Sequence, residues 1–300
     1  MSSRLVLVVV LLGAAGFKPA TRPDQRNAIL ISWDGALREH VRANVEKGRM
    51  PSLARLAREG ALVDIDVTGH MTDTKPGHAQ MLTGYDPNLT GVWSNSKFGP
   101  IPRGYSIFER LHEFFGKDGL ATIMLTGKGP NLGSQSPESG SASEPFYLVR
   151  AGITLWDGDR IRSANNIGDK ALRYIDRYGK GRFFLFIHFP DVDVAGHTHG
   201  EDSIEYDRAL GEVDAWLGKI MAALEDQHIA DRTLVYVSAD HGFDQGTRRH
   251  SAATHIFLGT NDARVKTYGE QRDIAPTVLS EMGVDLSKIT PRLPGKVLAK

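Results

Sequence analysis

Carboxylate, imidazole and hydroxyl side chains recur directly after short apolar runs of this chain. Asp34-Gly35 follows "NAILISW" (27–33), and Asp240-His241-Gly242 follows "TLVYVSA" (233–239). Asp191, Asp193, His197 and His199 lie in "PDVDVAGHTHG", which reads as a loop after "RFFLFIHF" (182–189). Thr74 follows the weaker run "ALVDIDV" (61–67) and precedes a helical pattern. A single Asp after a strand is usually a cap or turn residue. Several such positions, each beyond an apolar run, suggest a shared site. The chain has 11 His and no Cys, so any metal site must be built from imidazole and carboxylate. Such hard donors suit Zn2+ or Mn2+. Their number suggests two divalent ions, which can clamp the attacking and leaving oxygens of an in-line displacement at phosphorus.

Thr74 has two readings. Pro76 fits the start of a helix, because the N–H it lacks has no intrahelical partner there. Thr74 is then a plain cap, or a nucleophile at a helix N-terminus, where backbone N–H groups and the dipole favour an anion. A Thr hydroxyl is a poor nucleophile at neutral pH, and coordination to a metal is one way to activate it. The nearby His78 reads as a packing residue under this loop.

These residues need a scaffold that gathers them. The apolar runs already quoted, with "LATIMLT" (120–126), read as strands, several of them apolar throughout, as in a sheet covered on both faces. Helical patterns lie between them at "MPSLARLAREG" (50–60), "SIFERLHEFFGKDG" (106–119), "IGDKALRYIDRYGKG" (167–181) and 203–227. This alternation predicts an α/β fold with a doubly wound, mainly parallel central sheet and helices on both faces. Ligands of such sheets bind beyond the carboxyl ends of the strands, where the candidate residues fall. Gly35, Gly196 and Gly242 would let the backbone turn sharply beside them. The Gly/Ser/Pro-rich stretch 127–145 reads as a long surface loop, either disordered or a lid over the substrate. No internal repeat or second domain is visible.

Among the 300 residues, Lys+Arg and Asp+Glu both number 36, so no basic footprint points to a nucleic-acid polymer. The N-terminus, "MSSRLVLVVVLLGAAGFKPATRPDQ", has one Arg, an apolar run and then small residues. That is the layout of a signal peptide, or of an uncleaved anchor, over residues 1–25. The apolar run is short for a membrane span, and none is expected after cleavage. Residues 26–300 then form a single domain that works outside the cytoplasm, periplasmic or secreted.

In combination and order, "ILISWDG", "MPSLARLAREG", "TDTKPGHAQMLTGYDPNLTGV", "DVDVAGH", "SADHGF" and "RDIAPTVL" resemble the alkaline phosphatase superfamily. The likeness runs from about residue 27 to 295 and is closest to the nucleotide pyrophosphatase/phosphodiesterase branch. It implies an alkaline phosphatase-like catalytic domain that hydrolyses small phosphate esters through a phosphothreonine at Thr74, with two metal ions, Zn2+ foremost. By resemblance, Asp34, Asp240 and His241 hold the ion that binds Thr74. Asp193, His197 and a late histidine hold the second. Asn95, in "GVWSNSKF", matches a donor to a non-bridging phosphoryl oxygen.

The late histidine is His250 or His255, both in "RRHSAATHIFLG". His250 is favoured, because His255 opens an apolar strand and His250 lies in the loop before it. The absence of Cys and the sequence Thr-Lys-Pro-Gly argue against a sulfatase. Lys128 sits where some monoesterases place a Lys-x-Arg clamp, but Pro130 stands in the place of the Arg. Lys75 replaces an aromatic that diesterases often carry beside the nucleophile. A phosphonate hydrolase, a phosphotransferase on the same site, and a non-catalytic metal- or anion-binding domain are the alternatives. The sequence leaves the oligomeric state open.

Overall fold

Asn27–Trp33 is buried along its whole length, and it forms a central strand of the molecule. The structure, a computed structural model, describes residues 25–133, 144–158 and 160–300. The strands are β1 Asn27–Trp33, β2 Ala61–Asp66, β3 Ala121–Thr126, β4 Leu155–Asp157, β5 Phe183–Phe189, β6 Thr233–Ser238, β7 His255–Thr260 and β8 Gly269–Glu270. They form one sheet in the order β4-β3-β5-β1-β6-β7-β2-β8. All pairings are parallel except those of β7, which runs against both β6 and β2. The central strands β1 and β5 read Ile, Leu and Phe without alternation because helices cover both sheet faces.

Helices Arg38–Glu46, Pro51–Glu59, Ala164–Tyr178, Asp191–His199 and Ile204–Asp226 pack together in one layer. Thr74–Thr83, Ile107–Phe115 and Ile274–Glu281 form the other. Local signals fix several helix starts. Ser106 and Glu109 form a reciprocal capping box before Ile107, and the Ser203 hydroxyl accepts the Tyr206 N–H. Among the described residues no helix is long and apolar enough to cross a membrane.

The doubly wound, mainly parallel sheet matches the sequence expectation, with local differences. β4 and β8 have three and two residues, too few to show a period. "PDVDVAGHTHG" is a helix, Asp191–His199, rather than a loop. The helix expected from 167 begins at Ala164, and that expected over 106–119 ends at Phe115. Residues 129–132 of the Gly/Ser/Pro-rich stretch make one helical turn. Residues 134–143 of that stretch, and residues 1–24 of the N-terminal segment, lie outside the described residues.

Candidate active site

The parallel strands end at one edge of the sheet, and so deliver Asp34 after β1 and Asp240-His241 after β6 to that edge. Reversal of β7 adds a third supply. The loop that leaves β6 must return to the same edge to enter β7, and it carries His250. Beyond β5 the helix Asp191–His199 sets Asp193 and His197 four residues apart, hence on one face. The structure therefore brings together Asp34, Asp193, His197, Asp240, His241 and His250.

Each of the three carboxylates has one oxygen committed to the protein and one without a partner. Asp240 Oδ1 accepts the backbone N–H groups of Gly35 and His241, at 3.1 and 3.0 Å. Asp34 Oδ2 accepts from His188 Nε2 at 2.9 Å and from Lys128 Nζ at 2.8 Å. Asp193 Oδ2 accepts from the same ammonium. The other oxygens, Asp34 Oδ1, Asp193 Oδ1 and Asp240 Oδ2, are buried and unpartnered.

The histidines repeat the pattern. The Nδ1–H of His241 donates to the Gly242 carbonyl at 2.9 Å, that of His197 to Arg248 at 2.9 Å, and that of His250 to Thr72 at 2.6 Å. In a neutral ring this fixes Nε2 as a bare lone pair. His241 Nε2 lies 3.5 Å from both Asp34 Oδ1 and Asp240 Oδ2. His197 Nε2 lies 3.3 Å from Asp193 Oδ1 and 3.2 Å from His250 Nε2. The Asp193 carboxylate raises the His197 pKa, so without a metal a proton on His197 Nε2 takes the place that a cation would fill between these atoms. A tetrahedral ion with bonds of ~2.0–2.1 Å sets its donors about 3.3 Å apart, and these spacings fit it.

Electrostatics point the same way. Burial works to raise the Asp34 carboxyl, but the Lys128 ammonium and His188 outweigh it and hold it well below the usual range. Burial and the Asp34 charge also oppose ionisation of Asp193, yet His197 and Lys128 bring it below the usual range. Burial and Asp34 push Asp240 well above it. Three buried carboxylates share one ammonium, an imbalance that divalent cations would relieve. Burial lowers the pKa of His250, which favours the neutral ring a metal needs.

Thr74 is the first residue of its helix, two before Pro76, with Asp73 at the cap position. The Asp73 carboxylate does not cap its own helix. It accepts the Asn95 N–H at 2.8 Å and so ties the Asn95 turn to the helix start. The Asn95 side-chain oxygen accepts the Lys75 N–H at 3.0 Å, which leaves its NH2 to act as a donor. Lys75 Nζ donates to the Asn95 carbonyl and sits 3.5 Å from the centroid of the Phe98 ring.

Beneath Thr74 lies a buried network in which His78 packs under the loop as the sequence suggested. His78 Nδ1–H donates to the Thr74 carbonyl at 2.7 Å, and its Nε2 accepts from Ser32 at 2.9 Å. Burial keeps its pKa well below the ordinary value, consistent with a neutral ring. His188, inside the apolar run of β5, orients Asp34. A histidine between Ile and Phe reads as core, and only the period of β5, which aims it at Asp34, could have marked it.

Other candidates lie elsewhere. His255 is exposed and pairs with Glu39 at 3.1 Å. Asp191 and His199 line a separate cavity of about 500 Å3 with Arg162 and Glu212. His40, Glu201 and Asp202 form another group. Of the glycines expected to turn sharply, Gly35 has φ +72°, whereas Gly196 serves close packing. A Cβ there would lie 2.5 Å from the Phe243 ring.

The family model for type I phosphodiesterase / nucleotide pyrophosphatase matches residues 28–292. A Schizosaccharomyces pombe pyrophosphatase/phosphodiesterase, itself uncharacterized, is 24% identical over 258 residues, or 78% of this chain and 48% of that protein. Bis(5'-adenosyl)-triphosphatase enpp4 of Mus musculus is 23% identical over 219 residues, or 72% of this chain and 47% of that protein. The chain thus spans about half the length of these curated relatives. The structure of phosphonate monoester hydrolase from Silicibacter pomeroyi is similar with a TM-score of 0.62 at 16% identity, covering 91% of this chain and 76% of that one. At that identity the likeness establishes the shared fold.

Proposed function

The chain belongs to the type I phosphodiesterase / nucleotide pyrophosphatase family, and from that premise we propose that it is a metal-dependent phosphoric ester hydrolase acting through Thr74. The observation that carries this reading is the set of buried donors at one sheet edge, each held on one side and unpartnered on the other. Asp34, Asp240, His241 and Thr74 would hold one divalent ion, and Asp193, His197 and His250 a second, with Zn2+ the ion these donors suit best. Such ions supply charge stabilisation and hold the attacking and leaving oxygens in line.

The chain's own residues do the rest. Thr74 Oγ attacks phosphorus: the Thr–O–P bond forms, the bond to the leaving alcohol breaks, and that alcohol takes up a proton. Helix N–H groups and the Asn95 NH2 stabilise the charge on the non-bridging oxygens. The hydrogen bond from Lys75 keeps that NH2 turned toward them. Water then attacks phosphorus, the Thr–O–P bond breaks, and Thr74 recovers its proton. The buried His78 contact to the Thr74 carbonyl fixes the helix start throughout. Small phosphate esters are the expected substrates. The N-terminal sequence supports an exported protein, periplasmic, secreted or anchored.

Turnover of bis-p-nitrophenyl phosphate, p-nitrophenyl phosphate and p-nitrophenyl phenylphosphonate, with and without Zn2+, tests the reading. Zinc-dependent hydrolysis led by the diester is expected. Dominant turnover of the phosphonate would reassign the substrate class. No turnover of any of them by the zinc-loaded protein would leave a non-catalytic binding domain.

A further inference from the structure

Lys128 sits in the middle of the candidate metal centre. Its side chain is 10% exposed, unusual for a lysine unless it is paired. Its position is built in. A Cβ on Gly127 would lie 2.5 Å from Pro190 Cδ and 3.0 Å from the His188 carbonyl, so the chain leaving β3 is pressed against the exit of β5. The Lys128 N–H donates to Thr126 Oγ1 at 3.1 Å, which turns the residue inward. Its ammonium then reaches Oδ2 of both Asp34 and Asp193, one from each candidate ligand set.

We propose that Lys128 is a positioning residue that selects which oxygen of Asp34 and of Asp193 faces the metal ions. The inference rests on the two-metal reading above. A free carboxylate can bind through either oxygen or both. By occupying both Oδ2 atoms, together with His188 at Asp34, the ammonium leaves the two Oδ1 atoms, buried and unpartnered, as the inward donors. Asp240 achieves the same division without Lys128, because the main-chain N–H groups of Gly35 and His241 take its Oδ1. One side chain therefore acts on a ligand of each ion at once, alone at Asp193 and together with His188 at Asp34. An ammonium held by two carboxylates is also not the free phosphate clamp that its place in the sequence suggested.

Metal binding tests this directly. Metal-depleted wild type and Lys128→Met are titrated with Zn2+ against a chromophoric chelator, with circular dichroism as the check on folding. About two ions are expected in wild type, with affinity at the Asp193 position lowered about 10- to 100-fold in Lys128→Met, the usual scale for losing a group that orients metal ligands, and lowered less at the Asp34 position, where His188 still holds Oδ2. Lys128→Arg should restore part of it. Unchanged affinity in Lys128→Met would overturn the proposal, as for a residue that touches only substrate. Tighter binding would also overturn it, showing that the ammonium merely competes with the ions. Should Lys128→Met fail to fold, Lys128→Gln, which keeps a donor without the charge, must show the same loss at the Asp193 position. Wild type that binds no Zn2+ would instead remove the two-metal reading on which the inference depends.

Discussion

At the scale of single residues, each carboxylate and imidazole among the candidate ligands has two possible donor atoms, and the chain engages one of them. Asp240 is fixed by main-chain N–H groups, Asp34 and Asp193 by side chains, and the three histidines by Nδ1–H bonds to carbonyls. Thr74→Ala should therefore cost about a thousandfold or more in rate, because it removes the attacking oxygen. The cap position belongs to Asp73, so stability should change by less than ~1 kcal/mol. Kinetics and urea denaturation on the same variant check both halves. Full turnover in Thr74→Ala would remove its covalent role. His250→Ala should lose one of the two ions and nearly all turnover, because its Nε2 faces His197 Nε2 at 3.2 Å. His255→Ala should keep both ions, since His255 is exposed and paired with Glu39. Elemental analysis of the dialysed proteins decides, and the reverse pattern would exchange the two roles. Asp34, Asp193, Asp240 and His241, which the structure brings together, were legible as candidates because carboxylate and imidazole after an apolar run are conspicuous. The contacts of Lys128 and His188 were not, because the residues they touch come from segments distant in sequence.

At the scale of elements, β1, β3, β5 and β6 were readable because burial on both faces makes them largely apolar, and the partly buried β2 was readable by its alternation. β4 and β8 were not, since neighbouring strands hold so short a segment and no period can show. The loop reading of 191–199 failed because its Gly, two His and weak apolar character resemble a turn, while packing on Ile204–Asp226 makes it a helix. The joints between elements are tight at the site. A Cβ on Gly77 would lie 2.4 Å from the Asp240 carbonyl, so the Thr74 helix can approach β6 only with glycine there. Gly77→Ala should lower stability by about 1–3 kcal/mol and reduce turnover by separating Thr74 from Asp240. A Cβ on Gly211, inside Ile204–Asp226, would meet no atom within 4 Å, so Gly211→Ala should raise stability by about 0.5–1 kcal/mol. Equal effects of the two substitutions in chemical denaturation would contradict this account of the packing.

At the scale of the whole molecule, one sheet edge collects residues as distant in sequence as Asp34 and His250, because parallel strands and one reversed strand all open there. The central claim is that phosphorus passes through Thr74 on its way to water. Each in-line displacement inverts phosphorus, so two successive ones restore its configuration. The direct measurement is the stereochemical course of hydrolysis of a phosphorothioate diester of defined chirality in isotopically labelled water. Net retention is the predicted result. Net inversion would show that water attacks the substrate directly, and would contradict a phosphothreonine at Thr74.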